Sequence, residues 1–169
     1  MRRPLLALLL LAAPPLAGCG FEPLYADHSG QVMEADLAAV KIMPIREHIG
    51  QLLQWQLENE FNPDGSFVPP RYALHVVLAI KGDFLAVEPN NVAPRGSISA
   101  AADMALTTLD GKTTLYRGKI QSIADYNIPT DPYSSQIGQG GAEKRVVEDI
   151  GEQIALRLSA YFHNRSAAE

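Results

Sequence analysis

Residues 71–81, RYALHVVLAIK, alternate almost without a break. Tyr72, Leu74, Val76, Leu78 and Ile80 point one way; Arg71, Ala73, His75, Val77, Ala79 and Lys81 point the other. A period of two belongs to a pleated strand, and a strand apolar on one side must lie in a sheet covered on that side. The cover has to come from elsewhere in the chain. From about Arg46 to Phe61 the period turns helical, with Ile49, Leu52, Leu53, Leu57 and Phe61 at helical spacing and Asn62-Pro63-Asp64-Gly65 as the stop. A second, longer helix is expected over Ala142 to Phe162, its apolar side made of Val147, Ile150, Ile154, Leu158 and Tyr161. Strands are expected near Arg95 to Thr108 and Lys112 to Tyr126, and the short run Leu37 to Met43 leans β. The order is β-α-β-β-β-α. With a right-handed crossover this is an α+β two-layer sandwich, two helices on one face of a four-stranded mixed sheet.

The turn at Asp110-Gly111 decides where the charges go. A two-residue turn sets Arg117 opposite Met104 and Lys119 opposite Ala102, which places both cations on the apolar face. A three-residue loop Leu109-Asp110-Gly111, with Gly111 left-handed, sets Met104 against Tyr116, Ala100 against Ile120 and Asp103 against Arg117. Burying an unpaired cation costs several kcal/mol, so the second register is expected. It puts Arg71, His75, Lys81, Arg95, Arg117 and Lys119 on the face away from the helices, with Asp103 as the main acid.

The single cysteine, Cys19, follows Leu16-Ala17-Gly18. It has no second thiol to pair with and no adjacent base to make it a nucleophile. Ahead of it stand Arg2-Arg3, an apolar run from Leu5 to Leu11, and Pro14-Pro15. That is the order of a secretion signal too short to span a bilayer. The end of it looks like a bacterial lipobox, cut before Cys19, whose sulfur takes a diacylglycerol. Residues 1–18 are thus expected to be a lipoprotein signal peptide, 19–36 a lipidated tether and 37–169 a single α+β domain. Loss of Arg2 and Arg3 takes the formal charge from −5 to −7. So acidic a chain argues against nucleic acid as a partner.

Little else carries chemistry. His28, His48, His75 and His163 lack metal-ligand spacing, and Asp27-His28-Ser29 cannot form a triad from neighbours in sequence. Asn127 to Gly141 is expected to be a loop; its glycines Gly138, Gly140 and Gly141 lack the Lys-Ser/Thr of a nucleotide loop. No catalytic residue, metal site or cofactor is expected, and the chain is expected not to be an enzyme.

The mature start Gly18-Cys19-Gly20-Phe21-Glu22-Pro23-Leu24-Tyr25, the helix opening Ile45-Arg46 with Gly50-Gln51-Leu52-Leu53, the pair Tyr116-Arg117 after Leu109-Asp110-Gly111, and Pro132-Tyr133-Ser134-Ser135 carry a resemblance. In that order the chain resembles the outer-membrane lipopolysaccharide-assembly lipoproteins, LptE, in their alphaproteobacterial form. The resemblance implies two helices on a four-stranded sheet. It also implies a lipid-anchored protein on the periplasmic face of the outer membrane, with the β-barrel translocon LptD and lipopolysaccharide as partners, plugging the barrel. The residues themselves nominate Arg95, Arg117 and Lys119 for contact with lipid A phosphates or acidic barrel-wall groups. A lipid-tethered periplasmic enzyme and an auxiliary lipoprotein of another envelope lipid transporter are the alternatives.

Overall fold

A computed structural model of the chain describes residues 34–85 and 95–166. The expected signal peptide, Cys19 and most of the expected tether lie outside these. Strand β1 (Val40–Ile42) leads to helix α1 (His48–Phe61), then β2 (Tyr72–Leu85), β3 (Arg95–Thr108), β4 (Thr114–Asn127) and helix α2 (Pro132–Ser166). The sheet runs β1-β2-β3-β4, parallel between β1 and β2 and antiparallel after that. This is the expected α+β sandwich on a four-stranded mixed sheet. Among the described residues, no helix is long and apolar enough to cross a membrane.

The core forms where the alternation puts it. Leu74 and Val76 of β2, Ala100, Ala102, Met104 and Leu106 of β3, and Ile120 of β4 are buried under Leu53 and Leu57 of α1 and Ile150, Ile154 and Leu158 of α2. Two helical details differ from expectation. Leu52 turns outward beside the exposed Trp55, and Phe162, fully buried against Tyr72, takes the deep position expected of its neighbour Tyr161. At the helix crossing, a β-carbon on Gly151 would lie 2.8 Å from Gln56 Cγ, so the lack of a side chain sets how closely α1 and α2 approach.

Three elements depart from the sequence reading. The β-leaning run Leu37 to Met43 is a strand only over Val40–Ile42; residues 34–38 are helical, and Asp36 is buried in an ion pair with Arg71. The hairpin between β3 and β4 is longer than expected. Thr108 N–H donates to Thr113 O at 3.0 Å, enclosing four loop residues, and Gly111 is left-handed at φ 71° as expected. The Asp110 carboxylate accepts from the Thr108 hydroxyl and from Lys112 N–H, which stitches the wider loop and lowers the Asp110 pKa. A bulge follows between Leu106 and Thr107, so that Met104 faces Gly118, Ala102 faces Ile120 and Asp103 faces Lys119. The expected pairings were two residues away from these.

The third departure is α2, which begins at Pro132 rather than Ala142. The Asp131 carboxylate accepts hydrogen bonds from Ser134 N–H at 2.9 Å and the Ser134 hydroxyl at 2.7 Å. Asp131 is therefore an N-cap with proline at the first helical position, a start strong enough to carry the helix through the glycines. The expected loop shrinks to residues 128–131. Gly138, inside the helix, lies against the end of β4: a β-carbon there would sit 3.3 Å from Asn127 O.

Candidate functional site

Among the described residues, nothing covers the face of the sheet away from the helices. Strand register places Ala73, His75, Val77, Ala79, Lys81 and Asp83 on it from β2, Arg95 to Thr107 at odd positions from β3, and Arg117 to Asn127 at odd positions from β4. Arg95, Arg117 and Lys119 are all exposed there, as the alternation requires. The face is less cationic than expected. Arg71 precedes β2 and is paired with Asp36, while Asp83 and Asp125 join Asp103 on the face. Lys81, Arg95, Arg117 and Lys119 thus stand against three carboxylates. Lys119 Nζ lies 3.6 Å from Asp103 Oδ1, with both side chains more than half exposed, so the pair adds little stability but reduces the charge on offer.

The three candidate cations do not converge. Arg95 faces Asn127 and Arg117 faces Ala105, ten residues along β3, a separation of about 33 Å at strand rise. Arg95 instead lines an open cleft of about 680 Å³ at the far end of the sheet, shared with Asp125, Tyr126, Ser134, Ile137 and Arg145. Arg145, on α2, donates from Nη2 to Asp125 O at 2.9 Å. It was missed from sequence because the segment before it reads as loop, and no local pattern ties position 145 to position 95. The cleft owes its shape to Tyr126. Its ring lies over Gly96, where a β-carbon would come within 2.5 Å of Cζ, and Gly138 leaves room on the other side.

The start of α2 beside the cleft offers no free anion site. Asp131 already accepts the Ser134 donors, and these hydrogen bonds, the hydroxyl first, lower its pKa below 3.8. The glycines expected to lie in a loop have their backbone groups inside the helix. Among the described residues no three His, Cys, Asp or Glu side chains are grouped to hold a metal ion. The chemistry left is recognition: two guanidinium groups, one apolar wall and one carboxylate around an open cleft suit a large ligand that carries phosphate or carboxylate groups.

The fold is one that bacterial lipoproteins share. A chain designated a lipoprotein from Caulobacter crescentus CB15 matches with a TM-score of 0.64 at 22% identity, covering 79% of this chain and 96% of that one. A minor lipoprotein from Acinetobacter baumannii matches with a TM-score of 0.57 at 15% identity, covering 73% and 94%. Rare lipoprotein B from Shewanella oneidensis matches with a TM-score of 0.55 at 16% identity, covering 75% and 96%. No protein-family model matches the chain, and no curated protein matches it in sequence.

Proposed function

We propose that this chain is a lipoprotein anchored in the outer membrane through Cys19, and that it acts as an LptE-type plug. In this role it assists assembly of the LptD barrel and delivery of lipopolysaccharide to the outer leaflet. The observation that carries the reading is the fold, which spans nearly the full length of three lipoproteins and has the two-helix, four-strand build that the resemblance implies. The lipobox ahead of it supplies the anchor. A sheet face of mostly small and polar residues, with Val77 and Ile123 the exposed apolar exceptions and nothing among the described residues covering it, suits the polar lumen of a large barrel. The protein acts by binding and carries out no turnover of its own.

Within this reading Arg95 and Arg145 are the phosphate-facing pair, and Arg117 with Lys119 meets the barrel wall at the other end of the sheet. The test is co-expression of the full chain, tagged at its C-terminus, with the barrel protein, followed by mild detergent extraction. A stoichiometric complex is expected, and absence of the barrel from it sinks the proposal. Arg95→Ala with Arg145→Ala should lower lipopolysaccharide binding by about tenfold or more, the scale of losing charge-assisted hydrogen bonds. Unchanged binding at low salt removes the arginine pair from the account.

A further inference from the structure

The two edges of the sheet are treated differently. On β4 the outward backbone carbonyls belong to odd residues, and α2 caps two of them: Arg157 Nη1 donates to Lys119 O at 2.9 Å and Arg145 Nη2 to Asp125 O at 2.9 Å. That guards an edge against stray strand pairing. On β2, Ala73 O and Lys81 O face β3, where the Thr107 and Ser99 hydroxyls donate to them. Leu74 O faces the other way and accepts from Met43 N–H at 2.9 Å. Even residues of β2 therefore point outward. β1 pairs only with residues 72–74, so among the described residues the outward groups of Val76, Leu78, Ile80 and Gly82 have no strand beside them.

From this we infer that residues 76–82 of β2 are a docking edge for one extended segment of a partner polypeptide, which joins the sheet in line with β1. The chemistry selects the occupant. Outward donor–acceptor pairs recur every two residues, about 6.7 Å, and the backbone of an extended chain is the group that answers a ladder of that spacing. The side chains beside the edge are uncharged at its middle: Leu78 and Ile80 are half-buried on the helix side, while Val77 and Ala79 are exposed on the other. His75 and Lys81 bound this stretch, so the docked segment carries apolar or small residues at its centre. A second copy fits poorly. Antiparallel pairing of two such edges about Ala79 would bring residue 84 of the copy opposite Leu74, a place β1 already holds.

The inference goes beyond the barrel reading and does not need it. The full chain is expressed in its native cells with a photo-crosslinking amino acid at position 77 or 79, and at 121 or 123 of β4 as controls. Adducts at 77 and 79 should fall two residues apart on one partner polypeptide and exceed the β4 adducts by at least tenfold. Ile80→Pro removes an outward N–H but none of the bonds to β3, and should cut the adduct tenfold; Ile80→Thr keeps the N–H and should keep the adduct. Should Ile80→Pro fail to fold by circular dichroism, Val77→Lys on the exposed face should give the same loss. Adducts to lipid or to a second copy, equal labelling on β4, labelling without the two-residue spacing, or none overturns the inference. A barrel that co-purifies without this pattern removes the docking edge alone. The pattern on another polypeptide, with no barrel bound, removes the barrel reading alone.

Discussion

Gly96→Ala tests the packing that shapes the cleft. Gly96 and Tyr126 are cross-strand partners, and a β-carbon at position 96 would lie 2.5 Å from Tyr126 Cζ and 2.6 Å from Cε1 and the hydroxyl oxygen. Ordinary carbon contacts sit near 3.5–4.0 Å, so the ring must retreat by about 1 Å. Retreat is partly accommodated on the far side, where Gly138 of α2 carries no side chain and a β-carbon would have stood 3.6 Å from Tyr126 Cδ2. Overpacking of this kind costs about 1–3 kcal/mol. Removing a glycine from a strand returns roughly 0.5–1 kcal/mol. The net expectation is a loss of about 1–2 kcal/mol, read as a Tm lower by roughly 2–8 °C for a domain of this size. Urea unfolding followed by far-ultraviolet circular dichroism should show a lower midpoint with an unchanged slope. In a Tyr126→Leu background the same glycine substitution should become neutral or stabilising, a coupling of at least about 1 kcal/mol. An equal loss in both backgrounds would show that the ring does not lie over Gly96.

Asp131 predicts a pH dependence. Its folded pKa is lowered by the Ser134 hydroxyl and amide, so the stability it adds is fully present above its unfolded value near 3.8 and is lost as pH falls through the lower folded value. Protection of the Ser134 and Ser135 amides, taken relative to intrinsic exchange at each pH, should therefore hold steady above 3.8 and fall below it, and an Asp131 that titrates at or above 3.8 contradicts the cap. Arg157→Ala uncovers the Lys119 carbonyl on the β4 edge and should increase concentration-dependent self-association with little change in Tm. Sedimentation that shows a monomer at all concentrations would mean that the arginine does not guard the edge.

What was legible in the sequence follows from which patterns are periodic. Alternation through residues 72–81 assigned faces correctly, and a two-residue error in the hairpin register left them untouched, because a slip of two returns every side chain to the same side. The register itself was not legible. It depends on the Thr108 hydroxyl, the Asp110 carboxylate and the bulge at Leu106, three local hydrogen-bonding choices that apolar patterning does not record. The first ten residues of α2 were hidden by their glycines, whose propensity argues against helix; Asp131-Pro132 was the cue for the true start. The charge on the open face was overestimated because Asp83 and Asp125 share its parity, and because Arg71 belongs with Asp36. Arg145 reaches the cleft through the packing of α2 beside the end of β4, which no local pattern encodes.

Helix α2, 35 residues or about 52 Å at helical rise, runs the whole length of the sheet, from the arginine cleft back to Tyr72. One unbroken rod joins the two ends of the sheet. Its stiffness therefore holds the cleft and the Tyr72 end of the sheet about 4 nm apart, the rise from Ile137 to Phe162, with neither end free to fold back on the other. Shortening that strut would move Arg145 relative to Arg95, because one arginine rides on the helix and the other on the sheet.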